Sequence, residues 1–411
     1  MMILTQSYWR DEAFTVMQAG ESLKELFHLI KWDSSPPLYY LILHGWIKVF
    51  GEGEAVTRSL SLIFHLLTVM VVGLILKELT KNKIVGFLGA IAVLLNPFLV
   101  GYAFEARPYA LLVLCLALAV WLDLKKRSIL TGIMLGLMVL THNYGLFFLA
   151  SWGLYWFYRK KPIKVLAISL MAWLVWLPIF WMQFKRVVNE TWIQPMGWLF
   201  LTVSLQIFFL GYGQIKILDL ACQLAIILLV VALAGQLNKK TSLIFWLWLG
   251  PMLMAALFSK LVTPIYNERY LIAGIPMLII WISEGLNQRK KLWAGLLVVA
   301  YLIINGWGVW QLLNKETKPR IREAVAQVMT KIKPGEVIIA DSELNFLEVK
   351  YYSQKINKEI PVWVHYEKNK NELPYYLGSP FYKEVVFTKE IPVNQPAWVI
   401  RTDGSFSEAG I

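Results

Sequence analysis

From about residue 55 to residue 312 the chain alternates apolar runs with short polar breaks. The runs cover residues 55–76, 84–102, 107–122, 129–143, 145–158, 165–184, 217–236, 243–258, 269–286 and 293–312. Several fall short of the roughly 20 residues that a full span takes, and together they predict about ten membrane crossings. Ahead of them, Phe14, Met17, Leu23, Leu26 and Phe27 recur among polar residues, the pattern of a helix lying on a membrane surface. The turn Asp33-Ser34-Ser35-Pro36-Pro37-Leu38-Tyr39-Tyr40 ends that helix and opens a second one, with proline suited to the first helical position.

After Trp310 the pattern changes. Ile321, Val325, Val328, Met329 and Ile332 lie on one face of a helix. Strand-like stretches follow at 336–340, 361–365, 385–388 and 398–401, with a helical run near 346–352. The fold class expected is an α-helical polytopic integral membrane protein with a small C-terminal α/β domain. Its boundaries are 1–54 for a first loop with two interfacial helices, 55–313 for the membrane domain and 314–411 for the soluble domain.

Charge orients the spans. Lys77, Lys81 and Lys83, then Lys125, Lys126 and Arg127, then Arg159, Lys160, Lys161 and Lys164, then Lys239 and Lys240, then Arg289, Lys290 and Lys291 fall in five short loops. The positive-inside rule places all five in the cytoplasm, so every second loop faces out. Residues 198–212 are apolar, but counting them as a span would put Lys239 and Lys240 outside; they are therefore expected to lie in the outer interface. The outer loops are then 1–54, 101–108, 141–144, 185–197 and 259–268, and the domain after Asn314 is extracytoplasmic. Between Trp9 and Ala55 seven acidic residues face four basic ones, the opposite of an inner loop.

Composition agrees with a multi-pass protein of the cell membrane: 57% of residues are hydrophobic, 16% are charged and the mean hydropathy is +0.54. The excess of 40 Lys+Arg over 27 Asp+Glu does not point to nucleic acid, because the cations are spread through short loops and form no single basic face. Cys115 and Cys222 each lie inside an apolar run, where a buried structural role fits better than a disulfide. No His/Cys cluster has metal-ligand spacing, and neither a metal nor a cofactor is expected.

Two acidic motifs fall on the outer side. In Trp9-Arg10-Asp11-Glu12-Ala13 the carboxylates either complement a helix N-terminus or belong to a site. In Glu105-Ala106-Arg107-Pro108-Tyr109 an ordinary loop ion pair is the plain account. The surrounding Tyr102, Phe104 and Tyr109 favour a site, since charges at a membrane edge usually face a cavity. Thr141-His142-Asn143-Tyr144 joins two short runs, so this turn is expected to sink below the surface and line a cavity; His142 is either a satisfied structural histidine or a substrate contact. His65, inside a run, suits a helix-helix hydrogen bond. Arg58 and Arg269, each beside an outer boundary, are either snorkelling anchors or phosphate contacts of bidentate geometry. Asn189-Glu190-Thr191 is a weak glycosylation sequon.

Taken in order, the Trp-Arg-Asp-Glu-Ala opening, Pro36-Pro37-Leu38-Tyr39-Tyr40 with Phe50-Gly51 and Arg58, Glu105-x-Arg107-x-Tyr109, Thr141-His142-Asn143-Tyr144 and Glu268-Arg269-Tyr270-Leu271 resemble the GT-C membrane glycosyltransferases. The nearest branch is the bacterial and archaeal group related to protein O-mannosyltransferases and the lipid A aminoarabinose transferase. The resemblance covers most of the membrane region; each motif is loose alone and the ordered set is specific.

It implies a polyprenyl-phosphate-linked sugar donor, hexosyl or pentosyl transfer at the outer face, and a catalytic aspartate in the first outer loop. That residue is Asp11, with Glu105 in the second acidic motif. Glu12, Asp33, Arg58, Arg107, Tyr109, His142, Asn143, Arg269 and Tyr270 are the expected substrate contacts. The acceptor is a protein, a lipid or a glycan, and membrane lipids are the other partners. The family also places a transmembrane helix before the acidic motif, where eight residues stand in this sequence, so activity is expected of a form that has that helix.

Two rivals stand beside this reading. A transporter or flippase of lipid-linked sugars would place its polar residues near the midplane, open to both sides in turn, whereas here they gather at one face. An inactive relative acting as a binding module through its α/β domain would bind donor without turnover.

Overall fold

The computed structural model describes residues 2–159, 164–212, 241–366, 381, 386–388 and 396–409. The expected span at 217–236, Cys222, the basic residues Lys160, Lys161, Lys239 and Lys240, and the start of the strand expected at 385–388 lie outside the described residues.

The chain divides into two compact units. One comprises residues 1–34, 40–58 and 315–411, the other residues 35–39 and 59–314. The N-terminal stretch and the C-terminal α/β region, expected as separate domains, therefore form one unit.

The second unit is helical and belongs to an integral membrane protein. Glu54–Thr80, which begins in the first unit, Ser242–Leu261 and Lys291–Asn314 are each long and apolar enough to cross a membrane. Two further runs are broken. Lys83–Leu94 and Pro97–Ala103 meet at 61°, and Val165–Leu174 and Leu177–Asn189 at 74°. In each case a proline opens the second half, where its missing N–H costs nothing. At the first break the Asn96 side chain also accepts the Leu99 N–H at 3.0 Å, capping the new helix.

Counting each bent pair once, five of the ten expected crossings meet that test among the described residues, and four others do not. The reason is length: Tyr109–Leu124 has 16 residues, and Ser128–Thr141, Gly145–Tyr158 and Gly274–Asn287 have 14 each. Fourteen residues reach about 21 Å against a hydrocarbon core of roughly 30 Å. Residues 198–212 contribute the 11-residue helix Phe200–Leu210.

In the first unit the expected pair of interfacial helices is three: Arg10–Gly20, Leu23–Ile30 and Leu38–Phe50. The extra break falls at Ser22, which turns extended and whose hydroxyl accepts the Glu25 N–H at 3.3 Å. Arg10–Gly20 is also no surface helix. Glu12, Ala13, Thr15, Val16, Gln18 and Ala19 are buried, and the helix packs against Phe346–Ile356.

The C-terminal sheet has strands β1 (Val337–Ala340), β2 (Val362–His365), β3 (Phe387–Thr388), β4 (Ala397–Ile400) and β5 (Phe406–Glu408), in the order β3-β2-β1-β4-β5. The first four run parallel and β5 is antiparallel to β4. Every residue of central β1 is buried, as a parallel strand covered on both faces requires. β5 was not expected, although Asp403-Gly404 ahead of it is a hairpin signal. Gly404 has a φ of +87°, and a Cβ there would lie 2.9 Å from the Arg320 backbone nitrogen.

Candidate active site

The two acidic motifs fall in different units. In the first unit Asp11 opens the helix Arg10–Gly20, whose preceding residue Trp9 is extended and supplies no side-chain cap. Carboxylates in that first turn complement the helix dipole. Asp11 is half-buried and ion-paired to its neighbour, with Arg10 Nη2 at 3.1 Å from Oδ1. It points one way and Glu12 the other, because successive helical residues diverge by about 100°.

Glu12 is fully buried. Arg58 donates to both its oxygens, Nε to Oε1 at 2.8 Å and Nη2 to Oε2 at 2.7 Å, and Lys318 Nζ reaches Oε2 at 2.6 Å. Burial alone would raise this carboxyl; the charges of Lys318 and Arg58 outweigh burial and hold it at about 2. The other Arg58 donors go to the carbonyls of Ile3, Leu4, Gln6 and Ser7. With five N–H groups engaged and no exposed surface, Arg58 has no donor to offer a phosphate. Its expected role as a phosphate contact, and that of Glu12 as a substrate contact, give way to a structural clamp.

Asp33 serves the turn. Its Oδ1 accepts the Ser34 N–H at 2.6 Å and its Oδ2 accepts the Tyr40 hydroxyl, which fixes the chain ahead of Pro36-Pro37.

The second unit brings together the largest share of the expected residues. Tyr109, His142 and Tyr270 cluster, with centroids 5.8 Å apart for Tyr109–His142, 5.0 Å for His142–Tyr270 and 6.3 Å for the stacked Tyr109–Tyr270 pair. Tyr102 and Tyr144 extend the cluster against Tyr109 and Tyr270. Two guanidinium groups border it. Arg107 lies over the Tyr109 ring at 5.8 Å, and Arg269 lies over Tyr270 at 5.0 Å and Trp192 at 4.7 Å, while donating to the Tyr270 hydroxyl at 3.2 Å. Both charges bear on the His142 ring. The Tyr144 N–H donates to His142 Nδ1 at 3.1 Å, which leaves Nε2 to carry the proton of the neutral ring.

These residues come from chain ends and turns. Arg107 precedes Tyr109–Leu124, His142 ends Ser128–Thr141, and Arg269 and Tyr270 lie in the 3₁₀ turn Glu268–Leu271 that Asn267 caps through its side chain. Glu105 sits two residues before Arg107, half-buried, with its charge felt by Tyr102. Asn143 turns aside and donates to Gln183 Oε1 at 3.5 Å. Planar guanidinium groups laid on ring faces are pre-oriented for the bidentate contacts that a phosphate accepts.

Sequence reasoning missed Trp192, Lys318 and Glu348. Trp192 adjoins the sequon, whose polar residues drew the attention. Lys318 and Glu348 lie about 300 residues from the acidic motif, and no local pattern marks them.

Residues 34–184 match the model of the dolichyl-phosphate-mannose-protein mannosyltransferase family. The match takes in Arg58, Glu105, Arg107, Tyr109, His142 and Asn143, and leaves out Asp11 and Arg269. A search of the curated proteins found no match. Among solved structures, the crystal structure of ArnT from Cupriavidus metallidurans in the apo state is similar at 13% identity, with a TM-score of 0.65 over 97% of this chain and 90% of that one. The structure of the same ArnT bound to undecaprenyl phosphate is similar at 12% identity, with a TM-score of 0.61 over 97% and 89%. The chain thus has the GT-C-like fold that its ordered motifs resemble, and residues 34–184 are similar to the mannosyltransferase family model.

Proposed function

We propose that the protein is a glycosyltransferase that moves a sugar from a polyprenyl-phosphate donor to a hydroxyl of a protein, lipid or glycan acceptor at the outer face of the cell membrane. The observation that carries this reading is the convergence of Arg107 and Arg269 on His142 and one aromatic cluster, in a chain whose residues 34–184 match a mannosyltransferase family. The undecaprenyl phosphate in the ArnT neighbour supports a polyprenyl phosphate as the sugar carrier. The basic loops support an outward-facing site.

The chemistry is a single displacement. The acceptor oxygen attacks the anomeric carbon, the bond from that carbon to the phosphate oxygen breaks, and the acceptor proton passes to Asp11 as general base. Polyprenyl phosphate departs with its charge matched by Arg107 and Arg269, which lets cationic side chains serve the leaving group directly. Glu105 orients the acceptor. One displacement inverts the anomeric configuration.

The test is turnover by the purified full chain with polyprenyl-phosphate sugars radiolabelled in the sugar, in the presence of membrane extracts as acceptor. Label should leave the donor and appear on a macromolecule or second lipid. Label that crosses a proteoliposome membrane still attached to its polyprenyl phosphate would identify a transporter instead.

A further inference from the structure

Glu268 stands beside Arg269 in the second unit, and the reaction proposed above leaves it without a task. It opens the 3₁₀ turn Glu268–Leu271, and the loop that leads into the turn is pinned from several sides. The Ile265 and Tyr266 N–H groups both donate to Ser259 Oγ, at 3.0 Å and 2.7 Å. The Thr191 hydroxyl donates to the Pro264 carbonyl at 3.0 Å, and the Tyr144 hydroxyl to the Ile265 carbonyl. The Asn267 side chain then accepts the Arg269 N–H at 3.1 Å, which sets the direction of the turn. Groups on a backbone this closely braced are suited to recognition, because little freedom remains to be lost on binding.

The carboxylate itself is under-used. Ser204, on Phe200–Leu210, donates to its Oε1 at 3.3 Å, and Ser204 Oγ lies 2.8 Å from the Tyr266 hydroxyl. With its one proton given to the carboxylate, Ser204 accepts from Tyr266, so two buried hydroxyls aim one oxygen of Glu268. Its own backbone N–H is the other donor that bears on it. Among the described residues no cation pairs with it, and the adjacent guanidinium lies over Tyr270 and Trp192 instead. A carboxylate offers about four acceptor sites, so two donors leave about half of them open on this half-buried group. Acids withdrawn from water are normally paired or fully hydrogen-bonded, and the unused capacity here points to donors supplied by a ligand.

Tyr212 marks the open side. Its ring is 53% exposed, its hydroxyl is bonded to that of Tyr102, and the charges of Glu268 and Arg269 both reach it. A hydrogen-bond acceptor, a cation and an exposed aromatic face thus share one neighbourhood. From this juxtaposition, and resting on the glycosyltransferase reading above, we infer that Glu268 binds the sugar of the donor through its hydroxyls. Arg269 takes the phosphate, Glu268 accepts hydrogen bonds from the sugar, and Tyr212 offers its ring to the sugar's C–H face. Charge orders the two halves of the donor: the carboxylate repels the phosphate and the guanidinium attracts it, so only the polyol half can settle on Glu268. A polyprenyl phosphate without a sugar gains nothing from this acid.

The probes are undecaprenyl phosphate, bare and carrying mannose, glucose or arabinose, titrated by calorimetry into the purified full chain in detergent. At least one sugar lipid should bind the parent more tightly than the bare lipid. Glu268→Ala should weaken that sugar lipid by about 10- to 100-fold, the order of a hydrogen bond to a charged group, and leave the bare lipid bound as in the parent. Retained binding of the bare lipid shows at the same time that the variant is folded. Ser204→Ala, which removes only the hydroxyl that aims the carboxylate, should weaken the same sugar lipid by about 2- to 10-fold, and it serves if Glu268→Ala does not fold. Equal affinity of the parent for bare and sugar-bearing lipids, equal weakening of both by Glu268→Ala, or unaltered sugar-lipid affinity in both variants would overturn the inference while leaving the phosphate site in place. A parent that binds no undecaprenyl phosphate at all would instead defeat the glycosyltransferase reading, and the sugar contact with it.

Discussion

Arg58 holds Glu12 through two parallel hydrogen bonds, Nε to Oε1 at 2.8 Å and Nη2 to Oε2 at 2.7 Å, at a point where neither side chain is exposed to solvent. The same guanidinium collects carbonyls from residues 3 to 7, and the same carboxylate takes Lys318 from the far end of the sequence. One ion cluster therefore joins the segment that precedes Asp11, the helix that carries Asp11 and the approach to the α/β domain. A rigid support of this kind is what the general base proposed at the next residue would require, since small displacements are costly to proton transfer.

Breaking the cluster should destabilise the protein. Arg58→Met leaves the Glu12 charge buried beside Lys318 alone and should cost about 3–5 kcal/mol, while Lys318→Met, which leaves the bidentate pair intact, should cost less. The acid side follows from the same contacts. Glu12 is held at about 2, below its unfolded value, so its stabilisation is present above the ordinary carboxylate range and is lost as pH falls toward 2. Thermal unfolding in detergent from pH 7 to pH 3 measures both effects, and equal unfolding temperatures for Arg58→Met and the parent would remove the cluster from any structural role.

Much of the fold was legible because it rests on periodicity. The strands near 337–340, 362–365 and 397–400 and the helix near 346–352 were visible in runs of β-branched and apolar residues, and the three longest spans in uninterrupted hydropathy. The breaks in two spans were less visible, since Pro97 and Pro178 were absorbed into long apolar runs although proline opens a helix far more readily than it continues one. Arg107, Tyr109, His142 and Tyr270, which the structure gathers in one cluster, drew attention because polar residues at the ends of apolar runs are conspicuous. Arg58 was conspicuous for the same reason and was misassigned, because its partner Glu12 lies 46 residues away and sequence spacing does not report a tertiary ion pair.

Glu348 makes a pH prediction of the opposite sign. It lies on Phe346–Ile356, buried against the acidic-motif helix and facing Arg10 and Asp11; burial pushes it up to about 8. A carboxyl raised in the fold contributes stability that is fully present below its unfolded value and fades as pH rises to about 8, at up to about 1.4 kcal/mol per pH unit. Glu348→Gln keeps the shape and stays neutral, so the parent should lose stability relative to the variant between pH 5 and pH 8. A parent-to-variant difference in unfolding temperature that stays constant over that range would contradict the assignment.

Orientation can be read directly. By the charge rule, a cysteine placed at Leu261 or Lys358 should react with an impermeant thiol reagent on intact cells, and one at Ser128 should not. Leu261 and Ser128 are both exposed, so access across the membrane and not burial decides the result. Labelling at Ser128 alone would reverse the topology and move both acidic motifs to the cytoplasm.

The arginines of the aromatic cluster should tell a phosphate contact from an anchor. Arg107→Lys and Arg269→Lys preserve charge but lose the planar fork and its stacking on Tyr109, Tyr270 and Trp192. Donor binding, measured by calorimetry with a polyprenyl phosphate, should weaken about tenfold or more in each, on the order of the 1.5–3 kcal/mol of a hydrogen bond to a charged group. Unaltered affinity in both variants would leave these residues as anchors.

Asp11 carries the enzymatic reading. A general base contributes about 100- to 10,000-fold to rate, so Asp11→Asn should reduce turnover by that factor while leaving donor affinity and unfolding temperature near those of the parent. The contrast with its neighbour is diagnostic. Glu12→Gln should lower stability first, because it removes a charge from a buried cluster, and turnover only as far as the helix loosens. Kinetics of both variants on one polyprenyl-phosphate sugar, with unfolding measured on the same preparations, separate the two roles. If Asp11→Asn turns over at nearly the parent rate, the base lies elsewhere and Glu105, the carboxylate beside the arginine cluster, takes its place as the candidate.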